Sequence, residues 1–213
     1  MSWQTGTAGG LSENRRQDRI QSALLLPLLL AAFLHGEPLD NFRQGALLYS
    51  QGKFTVAADF LLAAVKENPL NADAWFYPGN LHTMGSNFLE ADKAFQKAME
   101  LRPESADIVI GYGGLKRLQK QNDVAEALFQ KALKLSASSV AAREQLAKLY
   151  FDTFEWKKSA DQLEAALAVR PDHPQKTTLE NLIRKLRAGL EYAEQKKKEL
   201  AAGGKTEDKP PPF

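Results

Sequence analysis

The chain has 213 residues, 44% hydrophobic and 25% charged, which is enough apolar material for one medium-sized core with terminal extensions. Its 28 basic and 26 acidic residues leave a net charge of +2, so no field over the whole molecule recruits nucleic acid or anionic lipid. The absence of cysteine removes disulfides, thiolate nucleophiles and cysteine metal sites, and leaves the redox compartment open.

In chain order, residues 1–37 come first. They comprise a polar start expected to be disordered, a basic stretch at Arg15, Arg16 and Arg19, and an apolar run at 23–34. The run holds Leu24, Leu25, Leu26, Leu28, Leu29, Leu30, Phe33 and Leu34, broken by Pro27. Its 12 residues fall short of the roughly 20 that a membrane span needs. A basic segment followed by a short apolar core suits an export signal, although Leu34 stands where a small residue is preferred. A packed helix is the competing reading, because a step of 34 back from Ala57 and Ala64 lands on Ala23 and Leu30. Signal, anchor and packed helix all remain open, with a membrane-associated or exported location favoured over a cytoplasmic one.

Residues 38–173 repeat with a step of 34. Ala57, Ala91 and Ala125 are followed by Ser159; Ala64, Ala98, Ala132 and Ala166 keep the same step, as do Gly45, Gly79 and Gly113, then Ala147. A large apolar residue recurs at Leu61, Phe95, Phe129 and Leu163, and proline at Pro69, Pro103 and Pro171. Chance does not hold several columns in phase, and repeats are sought before any local assignment.

A 34-residue unit carrying Trp75, Gly79, Ala91, Phe95, Ala98 and Pro103 resembles the tetratricopeptide repeat. The resemblance covers about residues 38–173 and implies an all-α fold, a right-handed superhelical solenoid of antiparallel helix pairs, with repeats at about 38–71, 72–105, 106–139 and 140–173. The residue types agree with that geometry: small side chains let paired helices approach, Phe95 fills between them, and Pro103 stops the second helix. Pro78 is the departure. It removes one helical hydrogen bond and predicts a kink near the start of its helix, with a widened groove as the functional alternative.

Residues 174–202 carry a helical stripe of Leu179, Leu182, Ile183, Leu186 and Leu190 opposite charged residues, resembling the helix that closes such arrays. The tail at 203–213, ending in Pro-Pro-Pro-Phe, reads as disordered.

Chemistry-bearing constellations do not emerge. His35, His82 and His173 lack acidic partners at metal-ligand spacing. The glycines of 111–115 fall inside a helix rather than between strand and helix, so they form no phosphate loop. No enzyme activity, cofactor or metal is expected.

The resemblance implies a concave surface lined by the first helices of successive repeats. Carried across by register, its partner-contacting positions hold Phe42, Arg43 and Tyr49 in repeat one, then Phe76, Tyr77 and Asn80 in repeat two. Repeat three supplies Ile110, Gly111, Gly114 and Arg117, and repeat four Lys148. The lysine–asparagine–arginine set that grips acidic chaperone tails is not at these positions. An aromatic shelf suits a protein or peptide with bulky apolar anchors, and the competing reading packs those aromatics between helices. The expected function is a non-catalytic interaction scaffold or assembly factor, with self-association also open. The alternative is a membrane-tethered structural subunit using residues 23–34.

Overall fold

The computed structural model describes residues 39–202. The apolar run at 23–34 and the tail at 203–213, with the readings attached to them, lie outside the described residues. The chain divides into the units Met1–Asp40 and Asn41–Phe213, and the helices below belong to the second. Among the described residues there are nine: α1 (Asn41–Ser50), α2 (Phe54–Glu67), α3 (Ala72–Met84), α4 (Phe88–Leu101), α5 (Ala106–Leu118), α6 (Asn122–Leu135), α7 (Val140–Asp152), α8 (Trp156–Val169) and α9 (Lys176–Ala201). None of these is long and apolar enough to cross a membrane. Each packs on its neighbours in the chain, most closely within the pairs α1–α2, α3–α4, α5–α6 and α7–α8, with α9 laid against α8. The result is an all-α solenoid of helix pairs.

The turns repeat as strictly as the helices. The backbone N–H groups of Lys53, Asn87, Gln121 and Glu155 donate to the carbonyls five residues earlier, at 2.8–2.9 Å. Just before each donor, Gly52, Ser86, Lys120 and Phe154 hold φ of +74°, +59°, +60° and +63°. This left-handed stop satisfies the end carbonyls of the first helix and turns the chain back. Only the first of the four is glycine. The second kind of boundary is closed by side chains: Asn71 Oδ1 accepts from the backbone N–H of Asp73 at 3.0 Å, Ser105 Oγ from Ile108 at 3.5 Å, and Ser139 Oγ from Ala142 at 3.2 Å. His173, next in the series, accepts at Nδ1 from the N–H of Gln175 at 3.1 Å. The first three are helix caps, each meeting a donor that a helix start leaves orphaned; His173 stands two residues before Gln175, the N-cap of α9, which has no side-chain cap bond.

Close approach within the pairs rests on the small column. A β-carbon on Gly45 would stand 2.6 Å from Leu61 Cγ, one on Gly79 3.1 Å from the Phe95 ring, and one on Gly113 2.5 Å from Phe129 Cε1. Leu61, Phe95 and Phe129 are fully buried on that bare backbone. In repeat four Ala147 packs in one cluster with the smaller Leu163, sealed by Leu179 and Leu186 of α9. Ser159, which replaces alanine in its column, is buried and donates to the carbonyl of Ala147 at 2.8 Å.

Successive pairs are joined by polar staples. At the second junction Asp92 of α4 accepts from Tyr112 Oη at 3.1 Å and from Lys116 Nζ, both on α5. At the third, Glu126 of α6, one repeat on, accepts from Tyr150 Oη of α7 at 2.6 Å. The first junction has Ala58 where these acids stand.

Pro78 is buried in α3, which continues unbroken to Met84. Its ring lies beside Phe54, Ala58 and Leu62 of α2, so it opens space on the side of the preceding helix and does not widen the concave groove.

Neighbouring glycines in α5 give opposite expectations. Gly113→Ala drives a methyl into Phe129, and overpacking of about 1–3 kcal/mol outweighs the gain of roughly 1 kcal/mol in helix propensity. Gly114 has nothing within 4 Å of its would-be β-carbon, so Gly114→Ala keeps that gain. Urea unfolding should show the first variant less stable than the parent and the second more stable.

Burial, aided by Glu126, pushes the Tyr150 phenol up to about 12. A folded-state value above the unfolded one of about 10 means the contribution is complete below pH 10 and is lost as pH rises through about 12, a loss on the order of 2 kcal/mol. Ultraviolet titration should show Tyr150 ionising late, and Glu126→Gln should bring that step back toward 10.

Candidate functional site

The first helices of the pairs, α1, α3, α5 and α7, enclose a cleft of about 410 Å³. Tyr49, Phe76, Asn80, Ile110, Gly111, Gly114 and Arg117 all line it. The remaining register positions do not: Phe42, Arg43 and Tyr77 are outside its lining, and Lys148 lines a second cavity of about 270 Å³ between α7 and α9.

The aromatic shelf divides between cleft and packing. Tyr77 sits 6.0 Å from Phe42, 5.0 Å from Tyr49 and 5.4 Å from Phe76, centroid to centroid. The tilted and edge-on contacts of Tyr77 with Phe42 and Tyr49 fill the space between α1 and α3. Phe42 and Tyr77 are therefore wall, while Phe76 and Tyr49 also face the cleft. Burial, then the nearby Tyr77, raises the Tyr49 phenol above its ordinary value.

The two groove glycines play different parts. A β-carbon on Gly111 would meet Phe95 at 2.8 Å and Phe76 at 2.9 Å, so this residue lets α5 close on the rings and opens no space. Gly114 is the one that leaves room.

The far wall is charged. Arg117 Nη1 donates to Asp152 at 2.5 Å, and its Nε is buried with no acceptor among the described residues. Arg117 lines both cavities, so this ion pair stands between them. Glu144 lies 3.2 Å from His173 Nε2. Lys148 is exposed at the mouth of the second cavity, with Phe151, Leu179 and Leu182 behind it.

Register reasoning missed Met84 and Leu118, which line the cleft and stand 57% and 45% exposed. Both lie at the last residue of a first helix, 34 apart, so the period itself held the signal. Among the described residues, no cluster of histidine, aspartate and glutamate could hold a metal ion. What the site can do chemically is bury apolar side chains between a neutral wall and a charged one.

Helix pairs stacked around such a cleft define a helical-repeat interaction scaffold. The family model for the tetratricopeptide repeat matches residues 42–106 and 85–140, so the chain carries tetratricopeptide repeats over those residues. No curated protein sequence matches it. Among solved structures, the fold is similar to that of pilF from Pseudomonas aeruginosa, with a TM-score of 0.60 at 20% identity over 78% of this chain and 76% of that one. It is also similar to the Cut9–Hcn1 hetero-tetramer of APC/C, with a TM-score of 0.62 at 18% identity over 70% of this chain and 29% of that one. A third is the first tetratricopeptide domain of Spaghetti (RPAP3) bound to the HSP90 peptide SRMEEVD, with a TM-score of 0.50 at 21% identity over 56% and 92%. At these identities the likeness is one of fold.

Proposed function

We propose that the chain is a non-catalytic scaffold that captures a partner segment with bulky apolar anchors in the cleft of α1, α3, α5 and α7 and so assists assembly of a larger complex. One observation carries the reading. The cleft is walled by Phe76, Ile110, Met84 and Leu118 and has free space at Gly114, the combination that receives a large apolar side chain and rewards its burial. The similar domain of RPAP3 holds a peptide ending in acidic residues and valine. Here the face offers aromatic and aliphatic side chains, and its half-buried guanidinium, Arg117, is already paired with Asp152, so specificity rests on shape and apolar area.

Gly114→Phe fills the cleft without adding charge, from a position whose β-carbon meets nothing within 4 Å. A random-peptide library panned on the parent should enrich sequences with two or more large apolar residues. Their affinity for the variant should fall about tenfold or more, which corresponds to roughly 1.4 kcal/mol, with circular dichroism unchanged. Equal affinity for parent and variant would remove the cleft from the binding site.

A further inference from the structure

A repeat array needs a helix with a polar back at its end, and α9 meets that need where Leu179 and Leu186 pack on Ala147 and Leu163. Beside this seal α7 and α9 leave the cavity of about 270 Å³, with Phe151, Leu179 and Leu182 among its apolar lining. Phe151 is 47% exposed and Leu182 half-buried, so closing the array does not by itself cover this surface.

Four charged side chains stand on the same wall, and three of them are engaged. Arg117 Nη1 donates to Asp152 at 2.5 Å, and Glu144 lies 3.2 Å from His173 Nε2. Lys148 follows Glu144 by one turn of α7, yet it forms neither a hydrogen bond nor an ion pair among the described residues. Its ammonium is the charge left over, and the group that matches it is a carboxylate. Arg117 adds a second unmet donor, since its buried Nε has no acceptor.

The cavity adjoins the cleft. Arg117 lines both, and an apolar edge runs from Met84 and Leu118, which line the cleft, to Phe151, which lines the cavity. We infer that α7 and α9 form a second subsite of one groove, and that the partner segment carries an acidic residue next to a large apolar one. The carboxylate meets Lys148 while the apolar side chain enters beside Phe151 and Leu182. This inference rests on the cleft reading above and names the chemistry of the partner's other end. Neighbouring helices lie about 8–10 Å apart, so one to two helix spacings separate the two subsites, a distance that an extended chain covers in roughly three to six residues. The cleft selects by shape and apolar area; the second subsite adds a charge at one end only, which fixes the direction in which the segment lies.

The probes are the peptides enriched from a random library panned on the parent. They should hold aspartate or glutamate beside a large apolar residue, at that spacing from a first apolar anchor. Changing the acid to its amide should weaken binding about threefold, as for a partly exposed ion pair, and the difference should shrink at high salt. Lys148→Glu should weaken the acidic peptide about tenfold, because repulsion replaces attraction. The same variant should regain most of that affinity when the acid of the peptide is changed to lysine, and Lys148→Arg should bind as the parent does. Lys148 is exposed, so circular dichroism and urea unfolding of these variants should match the parent, which separates lost binding from lost folding. Gly114→Phe distinguishes this inference from the reading it rests on. If Gly114→Phe loses the peptides while Lys148→Glu and the amide peptide bind as before, the cleft stands and the second subsite is overturned. If Gly114→Phe binds like the parent, the cleft reading falls and takes this inference with it. Enriched peptides without the acid, or a charge reversal that lysine in the peptide does not rescue, would also overturn it.

Discussion

Everything in this fold depends on how closely the two helices of a pair can lie. Gly45, Gly79 and Gly113 offer bare backbone on which Leu61, Phe95 and Phe129 rest, so a large buried side chain and a short interhelical distance coexist. Without that arrangement the rings would hold the helices apart, the connecting turn could not close in the few residues available, and the stack would lose its constant pitch. Repeat four relaxes both partners together, to Ala147 and Leu163. Leucine also stands opposite Gly45 in repeat one, so the fit is set by the whole cluster around each pair and not by the two residues alone.

What the sequence reveals follows from which constraint fixes a residue type. Close packing tolerates few side chains, so the glycine, alanine and phenylalanine columns stand out and carry the fold with them. The turn column of Gly52, Ser86, Lys120 and Phe154 has the same period and is invisible by composition, because what its members share is a backbone angle. The cap column of Asn71, Ser105 and Ser139 shares only an acceptor atom. The groove was legible to the extent that register fixes which way a residue faces. It placed Phe76, Asn80, Ile110 and Arg117 on the cleft, but it could not separate Gly111, pressed on two rings, from Gly114, pressed on nothing. Nor could it show that Pro78 opens space toward α2, since that depends on what the preceding helix lacks.

Electrostatics here mostly serves the joints. Asp92 and Glu126 gather donors from the next pair at a half-buried seam, where a charge-assisted hydrogen bond counts for more than at an open surface. Arg187 of α9 does the same at the C-terminal end, reaching Asp161 at 2.6 Å and Glu164 at 2.9 Å.

Each pair touches only its neighbours along the stack, so a load applied at the two ends passes through the junctions one after another. Among the described residues the α2–α3 junction has Ala58 where the next two carry a carboxylate staple, and a void beside its proline. Its helices nevertheless touch as extensively as those of the other two junctions, so this joint is held chiefly by packing where the others add a directed polar tie. A load along the stack therefore meets two kinds of joint in series, one resisting by contact area alone and two that also resist by the direction of a hydrogen bond.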